Sequence, residues 1–524
     1  MEHLRSMLLE EIDSFRELGH KFKNKEISSA EFKATSGGMG VYAHRGGEEF
    51  MIRLRIPSGI LNTQELKVIY NLAKDKNLDS VHTTTRQAIQ LHGLNIDEIC
   101  DVMKEAMNNG IYTRGGGGNF PRNVSISPLS GVDKEEVFDV TPYAQAVNSY
   151  FMNKITTYKL PRKLKVSFSS SDKDTGNAGI ADLGFMATKK NGKDYFKVYL
   201  TGGLGKNAAK AIEFDELIET KDVLYHVEAI ISFFMAEGDY SNKNKARSRY
   251  ITARMGEEAA LECYKKHLAE VKMKDNLDLE VIPKEYNKVG VKINLNNNRL
   301  IEQKQDGLYT VYFHPIGGIL KLDTLKLILD SIENIEDVEI RLSMSEGMYI
   351  RNLNGNEAKD LLEITKNLGG ETKLEQSSAC IGVPTCQIGI SESQSLLDDI
   401  LAYFAKNGFN KDVLPSLRIS GCNNSCGTHQ IGLLGFAGKK KRVNDVVTEA
   451  FELHMNGRLG KDDTKLGSAV GDIARGDVPK FLYELAVKVD ELGITYDEFI
   501  SKYSDILSNK YSDILSNIVK KYLV

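Results

Sequence analysis

The segment FKVYLTGGLG, residues 196–205, returns late in the chain as FELHMNGRLG, residues 451–460. Working outward, GIADLGFMA (179–187) matches QIGLLGFAG (430–438), and a Leu-Pro opens a strand-like alternation upstream of each, at 160–161 and 414–415. Further back, RIPSGILNTQELKVIYNLA (55–73) pairs with HPIGGILKLDTLKLILDSI (314–332), each reading as a strand, a glycine turn and an amphipathic helix. TTTRQAIQLHGL (83–94) pairs in the same way with RLSMSEGMYIRNL (341–353). Correspondences that keep one order along the chain define two halves of related fold, joined near residues 275–300, each a small α+β unit followed by a larger one. The fold class is therefore α+β with a pseudo-two-fold internal repeat, and the units are placed at 1–115, 116–285, 286–368 and 369–524. KYSDILSN, at 502–509 and again at 510–517, is a local duplication in a C-terminal helix and carries no functional reading.

Composition excludes several functions. With 68 basic and 72 acidic residues among 524, net charge −4, the chain offers no global field for nucleic acid or a membrane surface. No run approaches the ~18 apolar residues of a membrane span. The N-terminal MEHLRSMLLEEIDSFREL places Leu4, Leu8, Leu9, Ile12 and Phe15 at helical spacing with acidic interruptions, a surface helix rather than a signal peptide. The expectation is a cytoplasmic protein. Of six cysteines, four fall in SACIGVPTCQ (378–387) and SGCNNSCGTH (420–429), as Cys380, Cys386, Cys422 and Cys426. Such clustering in a long chain points to a metal or redox site. Cys100 and Cys263 stand alone in helical segments as ordinary buried thiols. Cys-x3-Cys suits structural zinc, Cys-x5-Cys is wide for it, and His429 lies nearby, so spacing alone leaves zinc and an iron-sulfur cluster both open.

The halves differ where chemistry belongs. In LPRKLKVSF, period two sends Leu164, Val166 and Phe168 to one face and Lys163, Lys165 and Ser167 to the other. The second half, LPSLRISGC, has Leu417 and Ile419 after its proline where the first has the lysines, then Cys422 and Cys426 where the first has Ser171 and Thr175. Arg86 corresponds to Ser345. FMIRLRIPSG sets Ile52, Leu54 and Ile56 against Met51, Arg53 and Arg55, and RQAIQLHG gathers Arg86, Gln90 and His92 on one face. GGGGNFPRNV adds Arg122 and Asn123 beside four glycines, where backbone approaches a ligand closely. Taken singly each is a solvated strand face; recurring across one half, they form a convergent basic pocket for an anion.

Together these stretches resemble the assimilatory sulfite and nitrite reductases that couple sirohaem to a [4Fe-4S] cluster. The resemblance runs from GGMGVYAHRGGEEFMIRLRIPSG through TTTRQAIQLHG, PRNVSISPLSG, LPRKLK and the two cysteine pairs to the closing Gly-x-Leu-Gly. It implies two ferredoxin-like units and two larger cofactor-binding units. It implies that Cys380, Cys386, Cys422 and Cys426 ligate the cluster, with Cys426 also bridging to the sirohaem iron. Arg53, Arg122, Lys163 and Lys165 would line the face where the anion binds. Arg86, Gln90, His92 and Asn123 would hold the macrocycle carboxylates or support residues that do. With no flavin or nicotinamide segment recognised, a separate one-electron donor such as ferredoxin is implied, and KKKR (439–442) is a candidate surface for it. GGLGKNAA (202–209) carries a weak dinucleotide pattern, Gly-x-Gly-x-x-Ala, read instead as a structural or porphyrin-contacting loop.

The chain departs from the family pattern in places. Asn423 stands in the CNNSC loop where many members have proline. Some members crosslink a cysteine to a tyrosine near the haem; Tyr42 has the tyrosine's context, and Ser127 is read as the cysteine's position, so no such crosslink is expected here. Plant-type nitrite reductases resemble LPRKLK but have asparagine at the place of Lys165, so the resemblance ranks sulfite first and nitrite second as the substrate.

Overall fold

A computed structural model describes residues 2–443, 445–503 and 513–524. The KYSDILSN duplication runs across 504–512, outside those residues. Among the described residues no helix is long and apolar enough to cross a membrane.

The repeat appears first as local structure. Helix Thr63–Asp75 opens on a capping box from Asn62 and Glu65, helix Ile96–Asn108 on one from Asn95 and Glu98, and helix Gly355–Ile364 on one from Asn354 and Glu357. Each box satisfies two orphan amide donors and contributes roughly 1 kcal/mol. Turns repeat as well. Ser58 and Gly59 take positive φ, as do Gly317 and Gly318; Gln87 and Glu346 do so together, and Asp174 and Asn177 match Ser425 and Thr428. These left-handed positions recur at the same places in both halves, because the backbone turns the same way in each.

The two small units are interlocked. One five-stranded sheet runs in the order Val41–Ala43, Phe50–Leu54, Ile89–Leu94, Ser80–Thr83 and then Ile319–Lys321 from the second half. The other runs Leu300–Glu302, Leu308–Phe313, Met348–Asn354, Glu339–Leu342 and then Ile60–Leu61 from the first half. Each half gives an edge strand to the other, with Ile319 opposite His82 and Leu61 opposite Ile340. The exchange covers an edge of each sheet that would otherwise present unpaired amides. One apolar core joins both, from Leu8, Ile12 and Phe15 of the first helix through Ile52, Leu91 and Ile99 to Val311, Ile350 and Leu361. The N-terminal helix, Glu2–Lys23, is thus amphipathic, its polar side tied by Arg16 to Asp97 at 2.7 Å and Asp101 at 2.8 Å. Cys100 lies in this core, and Cys263 is half-buried.

Each larger unit is a five-stranded sheet whose first three strands run parallel, with a fourth antiparallel to the third and a fifth antiparallel to the fourth: Ser125–Ile126, Val166–Ser169, Leu183–Lys190, Lys193–Leu200 and Ile212–Glu219 in one. The other holds Ser378–Ala379, Leu417–Ser420, Leu434–Val443, Val446–Met455 and Ser468–Ala474. Residues 275–299 connect the halves without helix or strand.

Strand register corrects one correspondence. Val166 pairs with Leu183 and Leu417 with Leu434, so Leu417 matches Val166 and not a lysine. The positions equivalent to Lys163 and Lys165 are Leu414 and Ser416, and Arg418 stands where the first half has Ser167. Aligning on Leu-Pro misplaces the strand by three residues, because the proline precedes the strand by different lengths in the two copies.

Candidate metal centre and anion site

The four cysteines sit in the loops that follow two parallel strands. Cys380 follows Ser378–Ala379, and its sulfur accepts from the Gly421 amide at 3.1 Å and lies 3.3 Å from Ser393 Oγ at the start of helix Ser393–Lys406. Cys422 follows Leu417–Ser420, and the chain doubles back so tightly that a Cβ on Gly427 would meet the Ile419 carbonyl at 1.9 Å. Gly176 shows the same close approach, 2.0 Å to Phe168, in the half that carries Ser171 and Thr175 instead of thiols. Cys386 forms a β-bridge with His44, and Arg45 of that segment donates to Gly389 O at 2.6 Å. Among the described residues the four thiols are free and are not disulfide-bonded.

Burial, then the charges of Cys426 and Cys422, push the Cys380 thiol up to about 12. Burial also raises Cys386 and Cys422, each with Cys426 in electrostatic reach. Among the described residues no three metal-binding side chains close on a single metal ion, so four soft thiol donors fit a polynuclear iron cluster, which binds thiolates and delocalises their charge. Cys426 is exposed while the others are buried or half-buried.

The basic residues of the first half converge on Cys426. Its carbonyl accepts from Thr85 Oγ1 at 2.7 Å, which seats the TTTRQ turn on the cysteine loop. Arg53, Lys163 and Lys165 all lie within electrostatic reach of its sulfur. Burial, then Lys165, Arg247 and Arg122, push the Lys163 ammonium well below its usual range. Burial, then Arg86 and Arg247, bring Lys165 down to about 7, against the pull of Asp182. Cations that repel one another in a buried space are offset by an incoming anion. Arg122 donates to Gly116 O at 2.6 Å and Gly118 O at 3.0 Å, and Arg53 to Gly116 O at 2.8 Å.

Arg86, Gln90, His92 and Asn123 are brought to the same region with mostly internal partners. Arg86 donates to Asn123 O at 3.0 Å, Ser167 Oγ at 3.1 Å and Val166 O at 2.7 Å, clamping its turn to strand Val166–Ser169, just after the lysines. Asn123 Nδ2 donates to Gln87 O at 2.9 Å and Arg86 O at 3.2 Å, while its Oδ1 is buried without a partner. Gln90 and His92 bond to each other and to a histidine group the sequence reading missed, His44 and His82.

Other missed residues are Asp182, Arg247 and Arg249. Buried Asp182 accepts from the Lys165 amide and Arg247 Nη2, each at 2.8 Å, and from Ser248 Oγ. The signal was the alternation of arginines in ARSRY (246–250). Those arginines also explain the glycine loop at 202–205, since a Cβ on Gly203 would lie 2.9 Å from Arg249 Nη1 and 3.0 Å from Arg247 Nη2. Gly205 exchanges hydrogen bonds with the Gln430 side chain at 2.9 and 3.0 Å, so this loop braces the cysteine-bearing half. The four-glycine run likewise packs on chain backbone: Gly115 N donates to Gly38 O at 2.8 Å, and a Cβ on Gly117 would meet Gly37 O at 2.1 Å.

That position also corrects the crosslink reading. Ser127 Oγ accepts from Ser170 N at 3.0 Å and Thr175 Oγ1 at 2.8 Å, whereas the residue over the Tyr42 ring is Gly117, whose Cβ would lie 2.5 Å from Tyr42 Oη. Glycine has nothing to crosslink, and the phenol instead accepts from Gly118 N at 3.2 Å. The KKKR run lies on strand Leu434–Val443, where Lys439 pairs with Glu452 at 2.9 Å and Asp472 at 2.8 Å, and Lys441 with Asp472 at 3.0 Å. Its charge is largely met by neighbouring strands.

Comparison with known proteins identifies this constellation. A model described as the nitrite/sulfite reductase ferredoxin-like half domain matches twice, at residues 42–109 and 301–368, and the nitrite and sulphite reductase 4Fe-4S domain matches residues 117–272. The chain belongs to the nitrite and sulfite reductase family. It is an oxidoreductase whose cofactors are sirohaem and a [4Fe-4S] cluster. Among its relatives, the chloroplastic ferredoxin–nitrite reductase of Spinacia oleracea is 25% identical over 451 residues, 82% of this chain and 72% of that one. The ferredoxin–nitrite reductase of Synechococcus elongatus is 26% identical over 462 residues, covering 84% and 86%. The solved Mycobacterium tuberculosis NirA protein shares the fold, with TM-score 0.74 at 21% identity over 87% of this chain and 86% of that one.

Proposed function

We propose that this enzyme reduces nitrite to ammonia with electrons from ferredoxin. The observation that carries the site is the convergence of Arg53, Lys163 and Lys165 from one half on Cys426 of the other. The relatives named as ferredoxin–nitrite reductases support nitrite and ferredoxin, and so move nitrite ahead of the sulfite first expected.

Cys380, Cys386, Cys422 and Cys426 would hold the cluster, and Cys426, exposed where the others are buried or half-buried, would be the sulfur shared with the sirohaem. When bound, the coupled cofactors would supply the electrons for the reduction one at a time. Arg53, Arg122, Lys163 and Lys165 receive the anion, offset charge on each departing oxygen, and the lysines donate protons to it. Arg86 and Asn123 hold the turn that frames the macrocycle. Reduced ferredoxin and purified holoenzyme test the reading: kcat/KM for nitrite exceeds that for sulfite, with ammonium as product. Turnover of neither anion would overturn it.

A second reading, sulfite to sulfide, rests on Lys165. Sulfite, unlike nitrite, reaches the dianion near neutral pH and sheds three oxygens, so a second ammonium beside Lys163 offsets more charge and adds an acid. Lys165→Asn then lowers kcat/KM for sulfite by more than for nitrite. Equal losses remove the case for sulfite.

A further inference from the structure

Arg53, Gln90 and His82 stand abreast on three neighbouring strands, Arg53 directly opposite Gln90 and Gln90 directly opposite His82. Their side chains meet. The Gln90 amide is satisfied on both sides in one orientation only: its oxygen accepts from Arg53 Nε at 3.0 Å and Nη2 at 2.6 Å, and its nitrogen donates to His82 Nδ1 at 3.1 Å and His92 Nε2 at 3.3 Å.

That orientation dictates every proton behind it. An amide nitrogen only donates, so the imidazole nitrogens facing it are bare acceptors. His92 then carries its proton on Nδ1 and donates it to His44 Nε2 at 3.2 Å. His44 in turn carries its proton on Nδ1, 3.4 Å from Glu49 Oε2 at the surface. Burial keeps the His82 and His92 imidazoles below their usual range, hence neutral, as acceptors must be. With Nη1 donating to Gly116 O at 2.8 Å, three of the five guanidinium N–H groups of Arg53 are committed and two remain for a ligand.

We infer that His82 and His92, with His44 behind, are positioning residues that fix the Gln90 amide and thereby aim the Arg53 guanidinium at the substrate anion. Were the amide turned over, its NH2 would face the Arg53 donors and the guanidinium would lose its anchor. This rests on the reading of Arg53 as an anion ligand given above.

A mutant cycle on the holoenzyme tests it, read by KM and kcat for nitrite and by nitrite affinity of the resting enzyme from the shift in sirohaem absorption. His82→Phe, which fills the space without an acceptor, is expected to weaken nitrite binding about tenfold with sirohaem content unchanged, the size of a lost hydrogen bond serving a charged group. His82→Asn, whose carbonyl sits where Nδ1 was, recovers most of that loss. In an Arg53→Ala background, His82→Phe costs nothing further, because both act through one guanidinium. Additive losses in the cycle, or equal defects for Phe and Asn, would overturn the inference while leaving the anion site intact. If Arg53→Ala alone left nitrite affinity unchanged, the anion-site reading and this inference would both fall. Should His82→Phe lose sirohaem, His92→Phe against His92→Gln, whose carbonyl reaches the place of Nε2, makes the same comparison at the other imidazole.

Discussion

Arg122 and Arg86 lie on neighbouring turns of the first half, yet their guanidinium groups have different work. Arg86 spends its donors on Asn123 O, Ser167 Oγ and Val166 O, whereas Arg122 bonds glycine-run carbonyls, lies against the Tyr42 hydroxyl and keeps a buried Nε without a partner. Arg86→Ala should therefore lower sirohaem retention, since it unties a turn from a strand; Arg122→Ala should keep the sirohaem spectrum and raise KM for the anion by tenfold or more. Absorption spectra and steady-state kinetics of the two proteins check both halves of the expectation, and matching defects would contradict it. Arg53, Lys163 and Lys165 were legible in the sequence through strand alternation, and Arg122 through its place beside four glycines. His82, Asp182 and Arg247 were not, because each acts through a partner distant in sequence: Gln90 across a strand pair, and Lys165 and Arg247 around one carboxylate. The Ser127 reading failed for a similar reason. Which residue covers a tyrosine ring is decided by how two glycine runs stack, and neither run announces its partner.

At the scale of elements, the duplication was readable because core residues and left-handed turns recur together. Its strand exchange was not. Ile60–Leu61 and Ile319–Lys321 are too short to encode which sheet edge they join. The exchange makes a prediction about the connection between halves, where Ile282 is 91% and Val289 83% exposed in a segment without helix or strand. Limited proteolysis within residues 275–299 should yield two fragments that elute together on size exclusion and part only in denaturant. Separation in native buffer would show that the exchanged strands and shared core do not hold the halves. Lys288, bonded to Asn352 O at 2.8 Å and Glu357 at 2.7 Å, marks where the connection is anchored and cleavage slower.

Across the whole molecule, buried histidines set the acid limit. His226, beside the Tyr264 hydroxyl at 2.8 Å, is brought by burial from 6.5 to about 3, and His314, bonded to Ser345 O at 2.7 Å, from 6.5 to about 4. Their folded values lie below the unfolded one, so the unfolded chain takes up protons first. Stability is complete above pH 6.5 and falls as pH drops toward 4 and 3, by on the order of 3 kcal/mol for each group. Melting temperature followed from pH 8 to pH 5 should decline through this window, and His226→Gln should make the decline shallower. A flat profile, or an unchanged slope in the variant, would remove histidine burial as the cause.

The exchanged strands also set an order of assembly. The chain leaves the ribosome from its N-terminus, and the sheet that ends at Ser80–Thr83 has no neighbour on that side until Ile319–Lys321 has been synthesised. Through that interval the nascent first half carries an open edge, the kind of surface on which unfinished chains pair with one another. Once both halves are made, neither can be discarded or borrowed by another gene on its own. Each would leave behind a four-stranded sheet and take a loose strand with it, so duplication here created a unit that evolution can alter only as a pair.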